Sequence, residues 1–110
     1  MSFQVHDVAV QMNAAVARVH AKVRVTDAGL ADQLKRAAQS VPLNIDEGNR
    51  RAGRDRLHLW RIAAGSAAEV RSALEVAVAW GYIDGDAAKA VDALADRVVA
   101  MLFRLGAGWR

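Results

Sequence analysis

Leu34-Lys35-Arg36-Ala37-Ala38-Gln39-Ser40-Val41-Pro42-Leu43-Asn44-Ile45-Asp46-Glu47-Gly48 is the stretch whose reading decides the fold. Leu34, Ala37, Val41 and Ile45 return every three or four residues, the period of a helix face rather than of a strand. Leu30 carries the same stripe one turn upstream. Pro42 stands inside it. A proline lacks the N–H that would bond four residues back, and its ring crowds that carbonyl, so a kink is expected near Ala38–Val41. Just upstream, Asp27 is a candidate N-cap whose carboxylate takes up otherwise orphan backbone N–H groups. Gly48 is expected to end the helix in the left-handed conformation that glycine adopts freely.

The same period runs outward in both directions. Val5, Val8, Met12, Val16, Val19 and Val23 make a stripe on a helix from about Phe3 to Arg24, with Val10, Ala14, Ala17 and Ala21 beside it. Valine favours strands locally, but the spacing is not two. Past a polar loop at 49–54, Asp55 is a candidate cap for a third helix reaching about Trp80. Trp60, Ala63, Ala67, Val70, Leu74, Ala77 and Gly81 follow on one of its faces, with Leu59, Ile62, Ala73, Val76 and Trp80 next to them. Gly65 lies among small side chains and reads as a point of close helix contact, since glycine costs about 1 kcal/mol against alanine inside a helix. Gly81, followed by Tyr82 and Ile83, reads as a glycine C-cap. Asp84 or Asp86 opens a last helix with Ala87, Val91, Leu94, Val98, Leu102 and Leu105 as its stripe, ended by Gly106-Ala107-Gly108.

Four amphipathic helices with short connections predict an all-α, antiparallel up-down-up-down four-helix bundle with a second helix kinked at Pro42. The chain has 110 residues and 11.8 kDa, which predicts a single domain over 1–110. With 54% hydrophobic residues it is not a disordered sequence, and its lack of cysteine excludes disulfides, thiolate zinc sites and a cysteine nucleophile. No apolar run is long enough to span a membrane, and Met1-Ser2-Phe3-Gln4-Val5-His6-Asp7 lacks the basic-then-apolar pattern of a secretory signal, so a cytoplasmic protein is expected. The second apolar stripes on the first and third helices exceed what one bundle core needs. A second copy of the chain is the expected cover.

The combination Ser40-x-Pro42-x-Asn44-Ile45-x-Glu47-Gly48, then Arg50-Arg51, then Ala63-x-Gly65-Ser66-x-x-Glu69 and Trp80-Gly81-Tyr82-Ile83, resembles the bacterial four helix bundle protein family, also called ribosomal-RNA intervening-sequence proteins. Relatives of that family include the accessory variability proteins of diversity-generating retroelements. The likeness spans about half the chain. Asp46 and Trp60 depart from the small apolar residue and the phenylalanine usual in the family. The resemblance implies a bundle that assembles into a homo-oligomeric ring, a pentamer. For the retroelement relatives it implies a basic surface for nucleic acid and a reverse transcriptase partner. It brings no catalytic residues.

The net charge is +3, and it is concentrated. Residues 1–49 are net neutral, 62–110 net −1, and 50–61 net +4 through Arg50, Arg51, Arg54, Arg56 and Arg61 against Asp55. Guanidinium groups fork onto phosphate oxygens and keep their charge. Neutralising five phosphates predicts a salt slope near −4.5, at about −0.9 per phosphate. Arg18, Lys22, Lys35 and Arg36 are candidates to extend the patch. An acidic protein partner, such as a polymerase, is the alternative occupant. Either way the bland possibility is ion pairing across the turn, Glu47–Arg51 or Arg51–Asp55, which is worth little when exposed. Asn44 and Glu47 are expected to hold the end of the second helix and to position the loop. Nothing points to catalysis, a cofactor or a metal. His6, His20 and His58 lack an i, i+4 pair, Ser66 has no base near it in sequence, and Asp84-Gly85-Asp86 lacks the other ligands of a calcium loop.

Overall fold

The structure is a computed structural model that describes residues 3–107, with side chains from residue 4. The expected ending at Gly108 and the unassigned Trp109-Arg110 tail fall outside that range. Four helices follow one another: α1 (Phe3–Thr26), α2 (Ala28–Asn49), α3 (Gly53–Ala79) and α4 (Gly85–Leu102). A last turn, Phe103–Ala107, with Gly106 in the left-handed region at φ +93°, closes the described chain. Each helix packs on its neighbours in sequence, and α1 also packs on α4, which closes the bundle. The molecule measures 42 × 24 × 21 Å. That length suits its 24-residue α1, which at 1.5 Å per residue is about 36 Å long.

The inward stripes are those of the helical period. Val5, Val8, Met12, Val16, Val19 and Val23 are all buried, as are Leu34, Ala37, Val41 and Ile45 on α2. On α3 Trp60, Ala63, Ala67, Val70, Leu74 and Ala77 face the core. Helix α4 is turned slightly from expectation: Ala88 and Ala95 are buried beside Val91, Val98 and Leu102, and Leu105 is exposed on the final turn. The neighbouring stripes face outward. Val10 is 49% exposed, Val76 41% and Trp80 73%, while Ala14, Ala17 and Ala21 are open to solvent.

Helix ends are set by local chemistry. Asp27 alone separates α1 from α2, and its Oδ1 accepts the Leu30 N–H at 2.9 Å. Helix α1 runs two residues past its expected end at about Arg24, which makes the connection this tight. Asp84 caps α4 by accepting the Ala87 N–H at 2.8 Å. At the end of α3 the Gly81 N–H reaches the Val78 carbonyl and the Tyr82 N–H the Ala77 carbonyl, with Gly81 at φ +75°, so the glycine C-cap forms as a Schellman motif. Three expectations fail. Asp55 does not cap α3, because the helix starts two residues earlier, after Ala52, with no side-chain cap. Gly48 does not end α2 in a left-handed turn; it is helical, and α2 continues to Asn49. Gly65 is not a contact point within the chain, since a Cβ there would meet nothing within 4 Å.

Pro42 lies within α2, and the helix carries on past it. The N–H it lacks would have bonded the Ala38 carbonyl. That acceptor is filled from another helix: Asn13 of α1 donates its Nδ2 to Ala38 O at 2.7 Å, and to Ala9 O of its own helix at 2.9 Å.

Candidate nucleic-acid interface

The basic residues sit at the α2–α3 corner, which is built around a close approach of the two helices. Trp60 is buried against the last turn of α2 and donates its indole N–H to the Ile45 carbonyl at 3.3 Å. Its ring covers Gly48. A Cβ on Gly48 would lie 2.6 Å from the indole Cδ1 and Nε1, so only glycine fits there. Sequence reasoning placed this glycine correctly as special but gave the wrong reason; the partner that demands it is twelve residues away.

Arg56 closes the corner. Its Nε donates to Gly48 O at 3.2 Å and its Nη2 to Asn49 O at 3.4 Å, and its Cζ lies 5.5 Å from the Trp60 ring centroid. These carbonyls belong to the last turn of α2, where the Gly48 carbonyl also accepts the Arg51 N–H at 3.0 Å and the helix dipole favours a cation.

Arg50 and Arg51 meet carboxylates. Arg50 Nη1 is 2.9 Å from Asp46 Oδ2, and its Nη2 is 3.1 Å from Glu47 Oε1. Arg51 Nε is 3.2 Å from Glu47 Oε2. Arg51–Asp55 does not form among the described residues. Hydrogen bonding and charge from Arg50, and then Arg51, hold the Glu47 carboxyl below its ordinary range, and the same contacts raise Arg50. Glu47 therefore clamps both arginines at the entrance of the turn.

Arg54 and Arg61 are exposed and make no ion pair among the described residues. His58, also exposed, lies between them at the i, i+4, i+7 spacing of one helix face. That spacing was legible in the sequence, but the histidine was weighed only as a metal ligand. Arg36 is fourteen residues before Arg50 on the same helix, about 21 Å along its axis, so Lys35 and Arg36 do not join this corner. Lys35 instead lines a groove between α1 and α2 with His20 and Arg24.

The remaining motif residues are joined by hydrogen bonds. Asn44 Nδ2 donates to the Ser40 carbonyl at 2.8 Å and to Ser40 Oγ at 2.9 Å, and Ser66 Oγ bonds Ser40 Oγ at 2.8 Å. The partner of Ser66 is thus another hydroxyl on α2, not a base. Glu69 is exposed along a groove between α2 and α3, beside Leu30 and Gln33. No group of three or more His, Cys, Asp or Glu that could hold a metal occurs among the described residues. Nor is any helix among them long and apolar enough to cross a membrane.

Sequence and fold each have known counterparts. The family model described as 23S rRNA-intervening sequence protein matches residues 1–104. A crystal structure of a Bacteroides thetaiotaomicron protein of unknown function, from the S23 ribosomal protein family, superposes with a TM-score of 0.84 at 18% identity, covering 92% of this chain and 96% of that one. At that identity it speaks for the fold. No curated protein matches the chain.

Proposed function

The chain belongs to the 23S rRNA-intervening sequence protein family, and from that premise we propose that it acts in the cytoplasm by binding rather than by catalysis, as a self-associating bundle that holds RNA or DNA phosphate without regard to sequence. The observation that carries this reading is the exposed Arg54–His58–Arg61 stripe beside a turn that holds most of the chain's excess positive charge. Arg50 and Arg51 flank it, already satisfied by carboxylates, and Arg56 is engaged with backbone. Two unpaired guanidinium groups, rather than the five first counted, give a salt slope nearer −1.8 for each copy, at about −0.9 per phosphate. Repetition in a ring, five copies by the family resemblance, would raise the effective concentration of such weak contacts. The outward stripes of α1 and α3 supply the apolar surface for that assembly.

Fluorescence anisotropy with mixed-sequence RNA and DNA duplexes at about 50 and 200 mM salt tests the ligand, since phosphate contacts weaken steeply over that range. The double substitution Arg54→Ala with Arg61→Ala should weaken binding evenly across sequences and flatten the slope by about 1.8. A loss confined to one sequence contradicts the mechanism. A single-copy species in sedimentation at micromolar concentration contradicts the assembly. The second reading is an acidic protein partner such as a reverse transcriptase, because the exposed, unpaired Arg54 and Arg61 take carboxylate as they take phosphate. No duplex binding at 50 mM salt would select that partner over nucleic acid.

A further inference from the structure

We infer that Arg56 is a positioning residue of the basic corner and not one of its ligand contacts: with Trp60 and Gly48 it latches the end of α2 to α3 and so sets where Arg54 and Arg61 stand. Only the identity of the ligand rests on the reading above; the latch itself is a statement about this chain. Three contacts converge on one side chain. The Nε and Nη2 of Arg56 reach the Gly48 and Asn49 carbonyls, and the guanidinium lies against the Trp60 ring. A phosphate gripped by the same Nε–Nη fork would have to break both carbonyl contacts and the contact with the ring. The ring below cannot yield, because it is buried, tied to Ile45 O and pressed onto Gly48. Arg54, two residues earlier and exposed, is free of such ties.

The roles are separable because lysine keeps the charge while losing the fork and the flat stacking surface. Arg56→Lys and Arg56→Ala are compared with wild type in the full chain by two measurements. The first is amide hydrogen exchange over residues 49–54 in the free protein. The second is the salt dependence of binding to a mixed-sequence 20-base-pair DNA duplex. If Arg56 is the latch, Arg56→Lys speeds exchange in the turn by about tenfold, the factor commanded by losing one charge-assisted hydrogen bond. It also weakens duplex binding severalfold with the salt slope unchanged. If Arg56 grips phosphate, Arg56→Lys exchanges and binds like wild type and Arg56→Ala flattens the slope by about 0.9, which overturns the inference. Unchanged exchange in both variants also overturns it. Should wild type bind no duplex, the phosphate reading fails and exchange alone decides the latch. Trp60→Phe, which keeps a ring and removes the indole N–H, should speed exchange in the same amides; exchange at the wild-type rate counts against the latch.

Discussion

Two helical glycines of this bundle, Gly48 near the end of α2 and Gly65 in the middle of α3, have opposite surroundings. Gly48 is roofed by the Trp60 indole with no space for a methyl group. Gly65 looks into open space, although Ala63, Ala64, Ser66 and Ala67 around it are buried. The α2 segment from Ala38 to Gly48, helical throughout, is also where side chains take up backbone carbonyls. Asn13 takes the carbonyl that Pro42 frees, Asn44 holds Ser40, and Arg56 holds the final carbonyls. The centre of α3 has no such demands. A glycine is thus required where two helices are pinned together and merely tolerated where they are not.

The sharpest way to break this contrast is Gly48→Ala. Overpacking against a fixed ring should cost about 3 kcal/mol, the upper end for an added methyl group, read as a lower denaturation midpoint in urea. Wild-type stability would mean that Trp60 is not pinned. Next in size, Asn13→Ala strands the Ala38 carbonyl inside the bundle and should cost about 1–2 kcal/mol in the same assay. Pro42→Ala in that background restores the helix N–H and should recover part of the loss; no recovery would break the link between the two residues. Gly65→Ala should move the other way, stabilising by up to about 1 kcal/mol through helix propensity alone. A destabilisation would show that something packs on Gly65 after all.

The smallest effect concerns the turn and depends on pH. The depressed Glu47 carboxyl contributes stability that is present above the ordinary glutamate range and lost as pH falls through its lower, folded-state value. Wild type should therefore be slightly more stable than Glu47→Gln near neutrality, with the difference vanishing in acid. A carbon-detected NMR titration should place the Glu47 midpoint below that of an ordinary glutamate. A midpoint at or above it would mean the clamp on Arg50 and Arg51 is not populated in solution.

A second pair of regions separates what could be read ahead from what could not. Arg50 and Arg51 pair with carboxylates three and four residues back, a spacing visible in the sequence. The Glu47–Arg51 pair was an expectation, but a charge window opening at residue 50 leaves out Asp46 and Glu47 and makes the cluster look barer than it is. Arg71 pairs just as closely with Asp92 at 2.8 Å and Asp96 at 3.1 Å, and the Asp92 hydrogen bond raises it. Those partners lie on α4, more than twenty residues on, and no spacing rule reaches them. Likewise Asn13 carried no signal, because its task is set by a proline on another helix.

Helix number, the inward faces of α1, α2 and α3 and the caps at Asp27 and Gly81 were determined by the sequence alone, and Asp84 was one of its two candidates for the α4 cap, because period and capping act over three or four residues and need only the local chain. The reason for Gly48, the emptiness around Gly65, the filling of the proline gap and the division of the arginines into clamped, latching and open were decided by tertiary structure. Each depends on which atoms two helices bring within a few ångströms of one another, a distance that neither helix fixes by itself.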